Sequence, residues 1–143
     1  MANSSNWTVK PIEGTPLDRS LAISQAMVGG YVFAETAGGV TLNATGLTKP
    51  ATLNAVTWGP GKTKGAPIFN GTTSFIRLNA AGATPLDLPN AASVSAWFNP
   101  SDLTGTKTII SKHTSGATSN YLIWIPSGTG TLQAYMGIGG IST

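Results

Sequence analysis

The sequence predicts an all-β protein of antiparallel strands, arranged as a sandwich or a barrel. Short apolar runs rich in β-branched and aromatic residues recur about every ten residues, with Gly, Pro, Asn and Ser between them. No segment sustains the apolar period of an amphipathic helix. Three such runs also follow one another late in the chain, at residues 92–98 (ASVSAWF), 108–113 (TIISKH) and 120–125 (NYLIWI). Each gap between them is made of turn formers, beginning Asn-Pro-Ser-Asp after the first and reading Thr-Ser-Gly-Ala-Thr-Ser after the second, so the three read as consecutive antiparallel strands.

In chain order, residues 1–20 are polar, contain Pro11 and Pro16, and read as an extended arm with one short strand at 6–10. Residues 20–27 place Leu21, Ile23, Ala26 and Met27 roughly on one side, enough for one or two helical turns before Gly29-Gly30. Residues 28–34 (VGGYVFA) read as a strand, and Gly38-Gly39 breaks the chain again. Strands at 40–43 and 51–58 flank a loop at 44–50, and a long turn covers 59–65. Strands at 66–70 and 74–78 are joined by Asn70-Gly71-Thr72-Thr73, where Asn-Gly signals a type I′ hairpin. In the second of these strands, alternation sends Phe75 and Arg77 one way and Ile76 and Leu78 the other. A loop at 79–89 leads to the three late runs, and a strand at 131–138 follows the turn at 127–130. The expected organisation is an arm over 1–20 and a β domain over 21–143.

Composition removes several function classes. Only 9% of the 143 residues are charged, against about 25% in an average globular protein, so the polar surface is Thr, Ser, Asn and Gly. The net charge of +3 comes from eight scattered basic residues, with Lys62 and Lys64 the only close pair, which does not make a nucleic-acid footprint. Without cysteine there is no disulfide framework and no thiolate metal site. No apolar run approaches the ~20 residues of a membrane span, and the first residues lack the pattern of a signal peptide. Asn3, Asn6, Asn43 and Asn70 each begin an Asn-x-Ser/Thr triplet, read as a consequence of composition rather than as glycan sites.

Three pieces in order carry a resemblance. Gly-Thr-Pro-Leu-Asp at 14–18 runs into AMVGGYVFAE at 26–35. Trp58-Gly59-Pro60-Gly61-Lys62 is followed by APIFNGT at 66–72. ASVSAWFNP at 92–100 is followed by Ile109-Ile110-Ser111-Lys112 and then Tyr121-Leu122-Ile123. Together they resemble the laminin-G-like, concanavalin A-like lectin superfamily, in the form of the jelly-roll modules of secreted and phage proteins. The resemblance implies an antiparallel jelly-roll β-sandwich. It departs from the family at Phe69-Asn70-Gly71, where Phe-Asp-Gly is usual, and in lacking the family's later strands after Gly137. The implied sandwich stops short of closing, so the expectation is either that the sequence is the ordered part of a longer protein or that neighbouring subunits supply the missing cover.

The candidate chemistry is sparse. The carboxylates Glu13, Asp18, Glu35, Asp87 and Asp102 are spread along the chain, with no close acidic pair of the kind a glycosidase uses. Glu35, Asp87 and Asp102 adjoin turn residues, where caps and Asx-turns are the ordinary role. His113 is the single histidine and has no evident triad partner; it reads as a loop residue at a strand end. No zinc set exists, and calcium through Asp87, Asp102 and loop carbonyls lacks a ligand run. No cofactor is expected. Lys107 and Lys112 read as solvated strand ends. The aromatics are the informative class: strand alternation allows Trp97, Trp124 and Tyr135 to line one face, either as a platform for sugar rings or, more commonly for such side chains, as core or subunit packing.

The expectation from residues and resemblance together is a non-catalytic structural or decoration protein of a virion, of the tailed-phage kind. Its partners would be other virion subunits and copies of itself, with weak adhesion to surface glycans, and neither nucleic acid nor membrane. It would be made in the host cytoplasm and located in the virion. The alternative is a carbohydrate-binding module of a larger secreted protein, located outside the cell.

Overall fold

The computed structural model describes residues 17–18, 20–47, 49–62, 64–78, 86, 93–112 and 121–136. The protein is all-β, and its strands pair antiparallel throughout. The strands are β1 (Val40–Thr41), β2 (Ala51–Asn54), β3 (Thr57–Pro60), β4 (Gly65–Ile68), β5 (Phe75–Leu78), β6 (Lys107–Lys112), β7 (Tyr121–Ile125) and β8 (Gln133–Met136). One short helical turn, α1 (Ala22–Gln25), lies where it was expected, with the buried Ser24 hydroxyl 2.8 Å from the Leu21 carbonyl oxygen it can donate to. The chain divides into two compact units, Met1–Leu86 and Asp87–Thr143.

In the first unit, β2 is the centre of a three-stranded sheet ordered β1-β2-β5. Thr41 lies opposite Ala51, Ala51 opposite Leu78, and Leu53 opposite Ile76. Directly opposed residues share a face, so these five side chains form the inner surface. Thr41, Ala51 and Leu53 are buried, and Ile76 and Leu78 half-buried. The other face carries Val40, Thr52, Asn54, Arg77 and Phe75. There the Arg77 guanidinium sits 5.3 Å from the Phe75 ring centre, a cation–π contact worth about 0.5–1 kcal/mol at an exposed site. The alternation expected for residues 75–78 is the one that forms.

Several expected elements differ, each for a local reason. The run at 51–58 is two strands. Ala55 takes a left-handed backbone (φ 50°), and beyond it β3 leaves to pair with β4 in a separate two-stranded sheet. At the turn of that hairpin, a Cβ on Gly61 would lie 2.8 Å from the carbonyl oxygens of both Lys64 and Gly65, so only glycine fits without a shift. The run at 28–34 contributes a single bridge, Tyr31 to Asn43, because Phe33 also adopts a left-handed backbone (φ 53°) and ends the extension. The Asn70-Gly71 hairpin does not form, since β4 and β5 belong to different sheets. The Asn70 side chain organises a loop there instead. The short strand expected at 6–10 lies outside the described residues.

In the second unit, β6, β7 and β8 form a meander with β7 in the centre. Lys112 lies opposite Tyr121, Ile110 opposite Ile123 and Lys107 opposite Ile125, with a register shift between Thr108 and Ile110. Across the other edge, Tyr121 faces Met136 and Ile123 faces Ala134. The side chains of Tyr121 and Ile125 are buried. The loop before β6 and the turn after β7 are tied together: Gly128 N–H donates to the Leu103 carbonyl at 2.9 Å and Gly105 N–H to the Ser127 hydroxyl at 3.1 Å. Strands were expected at 108–113, 120–125 and 131–138, and β6, β7 and β8 stand there. The strand expected at 92–98 does not form over 93–98. Every residue from 93 to 100 is exposed, so its alternation buries neither face.

Candidate binding surface

The site expected from sequence rests on three aromatic residues, and the sheet brings two of them together. Trp124 lies opposite Gln133, and Leu122 opposite Tyr135. Trp124 and Tyr135 are therefore diagonal neighbours on one face of β7–β8, shared with Leu122 and Gln133, and both are half-buried. Trp97 belongs to no strand. It lies in the irregular segment before β6 and is 89% exposed, the most open of the large apolar side chains among the described residues. Its neighbours Val94 and Phe98 are exposed as well.

The opposite face of the same sheet carries Tyr121, Ile123, Ala134 and Met136. These four, with Val94 and Tyr135, border an open groove of about 280 Å³. Its lining is mainly apolar, so it offers chiefly shape and dispersion contacts.

The described carboxylates are engaged in local structure. Glu35 is buried, accepts the Thr41 hydroxyl at 3.0 Å and the Leu42 N–H at 2.9 Å, and so closes the bend between them. Asp102 accepts the Thr104 N–H at 2.8 Å and the Thr104 hydroxyl at 2.5 Å, and its carboxylate lies 3.0 Å from the Lys107 ammonium. The Thr104 hydroxyl bond first, and Lys107 second, hold the Asp102 carboxyl well below the usual carboxylate range. Asp18 is lowered in the same direction by its hydrogen bonds from Ser20. Lys107 is thus placed by Asp102. Among the described residues no three His, Asp or Glu side chains gather as metal ligands would. Glu13, Asp87 and His113 lie outside the described residues.

The Asx-turn expected at Asp102 forms, and the same device recurs at three further positions where it was not expected. Asn43 accepts the N–H and hydroxyl of Thr45 at 3.0 and 2.9 Å, and the Gly30 N–H at 3.0 Å. Asn70 accepts the N–H and hydroxyl of Thr72 at 3.0 and 3.2 Å. Asp102 does the same with Thr104, and Asp18 accepts the Ser20 N–H at 2.9 Å. All four are Asx-x-Ser/Thr triplets, in which the first side chain folds over its own backbone and the hydroxyl adds a second donor. Two of the Asn-x-Thr triplets noted in the sequence, at Asn43 and Asn70, are loop builders of this kind.

Comparison with protein-family models, with curated proteins and with solved structures returns no match at any of the three.

Proposed function

We propose that the protein is a non-catalytic structural or decoration subunit of a virion, built on a lectin-like β-sandwich and functioning by packing against other subunits, including copies of itself. The observation that carries this reading is the amount of apolar side chain left open. Val40, Leu47, Phe69 and Leu132 are each at least half exposed, and Trp97 is 89% exposed. On a chain with only 9% charged residues, such side chains are not isolated among charges. Exposed apolar side chains of this size are available for contact with a neighbour, and edge strands such as β5, β6 and β8 offer it backbone donors and acceptors. The engagement of Glu35 and Asp102 in loop structure supports the non-catalytic part of the reading.

The test is co-purification with particles at stoichiometric copy number, together with the hydrodynamic mass of the isolated chain. Presence on particles and self-association in solution support the reading. A monodisperse monomer absent from particles sinks it. The exposure of Trp97 favours one second reading, a carbohydrate-binding module. Glycan-array binding that is lost in Trp97→Ala, with no particle association, would select it.

A further inference from the structure

We infer that Asn70 is a site of self-modification, at which the folded loop promotes attack of the Gly71 backbone nitrogen on the Asn70 side-chain amide. Asn70-Gly71 is the sole Asn-Gly pair in the sequence. The Asn70 Oδ1 oxygen sits among three backbone donors, the N–H groups of Thr72, Thr73 and Ser74, at 3.0, 2.9 and 3.0 Å. The Thr72 hydroxyl adds a fourth donor at 3.2 Å. This is the arrangement that stabilises an oxyanion: fixed donors aimed at the atom where negative charge develops. Asn70 Nδ2 donates to the Thr73 hydroxyl oxygen at 2.9 Å, which keeps that hydroxyl beside the leaving group, where it can turn to donate once the nitrogen has gained a lone pair in the tetrahedral state. The nucleophile belongs to an exposed residue. Gly71 has nothing within 4 Å of where a Cβ would stand, and it adopts a positive φ of 75°.

The chemistry balances without any oxidant or cofactor. The Gly71 N–H gives its proton to water or hydroxide, and the nitrogen bonds to Asn70 Cγ. Charge gathers on Oδ1 within the cradle of N–H groups. The tetrahedral carbon then collapses, the Cγ–Nδ2 bond breaks, and Nδ2 leaves as ammonia with a proton relayed through the Thr73 hydroxyl. Water opens the resulting cyclic imide at either carbonyl, leaving an aspartyl or an isoaspartyl residue at position 70. Asn43 is an internal control. Its Oδ1 is held by the same Thr45 donors, but its successor is Ala44, whose N–H is already donated to the Gly30 carbonyl at 2.8 Å. The product carries a new negative charge between β4 and β5, and the isoaspartyl form lengthens the backbone there by one carbon.

The experiment follows amide-to-acid conversion by peptide mapping, with isoaspartate resolved from aspartate, in native protein and in the same protein held unfolded in urea at equal pH and temperature. The expected result is conversion at Asn70 on the order of tenfold faster in the native protein, with Asn43 unchanged over the same period. Thr73→Val should slow the native rate several-fold and leave the unfolded rate alone, and Thr73→Ser should restore it. A native rate equal to or below the unfolded rate overturns the inference, and that comparison needs no variant to fold.

Discussion

Glu35 and Thr41 meet in the interior of the first unit, where the buried carboxylate accepts the buried hydroxyl at 3.0 Å while its other oxygen accepts the Leu42 N–H at 2.9 Å. The pair sets the bend that delivers β1 to β2. Hydrogen bonds to a charged acceptor contribute about 1.5–3 kcal/mol, and leaving a buried donor unmet costs a similar amount. Glu35→Ala should therefore lower unfolding free energy by about 2–3 kcal/mol, read from the urea midpoint. Glu35→Gln, which retains an acceptor oxygen, should cost less. Equal losses for the two substitutions would show that one acceptor oxygen does not suffice and that both carboxylate oxygens are needed.

Ala55 marks the step from one sheet to another. Its φ of 50° is unfavourable for a residue with a Cβ. Glycine relieves that strain at the expense of greater freedom in the unfolded chain. Ala55→Gly should therefore stabilise the protein by about 0.5 kcal/mol, seen as a higher denaturation midpoint at unchanged slope. A destabilised variant would count against the left-handed backbone at this position.

Asp102 should titrate below an ordinary carboxylate, because the Thr104 hydroxyl and Lys107 both favour its charged form. A carboxyl depressed in the folded state stabilises that state at pH values above its unfolded value and loses the effect as pH falls through its folded value. Stability of the native protein should accordingly fall more on acidification than that of Asp102→Asn. The carboxyl is exposed, so the difference is small, and added salt should shrink the part due to Lys107. Carboxyl chemical shifts followed against pH check the direction of the shift.

Trp97 and Ile125 should respond oppositely to truncation. Ile125 is 5% exposed and lies in the central strand β7, so Ile125→Ala should cost about 2–5 kcal/mol. Trp97→Ala should change the stability of the isolated chain by less than about 0.5 kcal/mol, as surface changes do. Its effect belongs in self-association or particle binding, measured by sedimentation. A large loss of fold stability in Trp97→Ala would place the side chain in the core and remove it from the candidate surface.

Much of the strand pattern was legible in the sequence. Tyr121–Ile125 and Lys107–Lys112 announce themselves by β-branched and aromatic content between turn formers, and they pair. Phe75 and Arg77 alternate with Ile76 and Leu78 as the register requires. The misses have tertiary causes. Nothing in Asn54-Ala55-Val56 signals a left-handed residue, because alanine has no preference for that region, so the change of sheet was hidden. Residues 93–98 have a strand's composition, but composition supplies no partner. Of the candidate site, Trp124 and Tyr135 share a face as alternation allowed, whereas Trp97 lacked the strand that would have carried it there. The polar loops were legible at Asp102, where an Asx-turn was expected, and equally readable but missed at Asp18, Asn43 and Asn70, since an Asx residue followed two places later by Ser or Thr stands at each of the four turns.

The β3–β4 hairpin sits in the chain between β2 and β5, which are themselves neighbours in a sheet. Pairing β5 onto β2 must close a loop containing that hairpin, while β6, β7 and β8 pair only with the strands next to them in sequence. Loop closure costs entropy before any contact compensates for it, so the two sheets face different searches. The C-terminal meander and the small hairpin can assemble early from local contacts. The sheet that holds Ala51 and Leu53 comes later, once the hairpin has shortened the effective loop. Pulse-labelled hydrogen exchange should find the amides of β7 protected before those of β5, and the reverse order would reject this sequence of events.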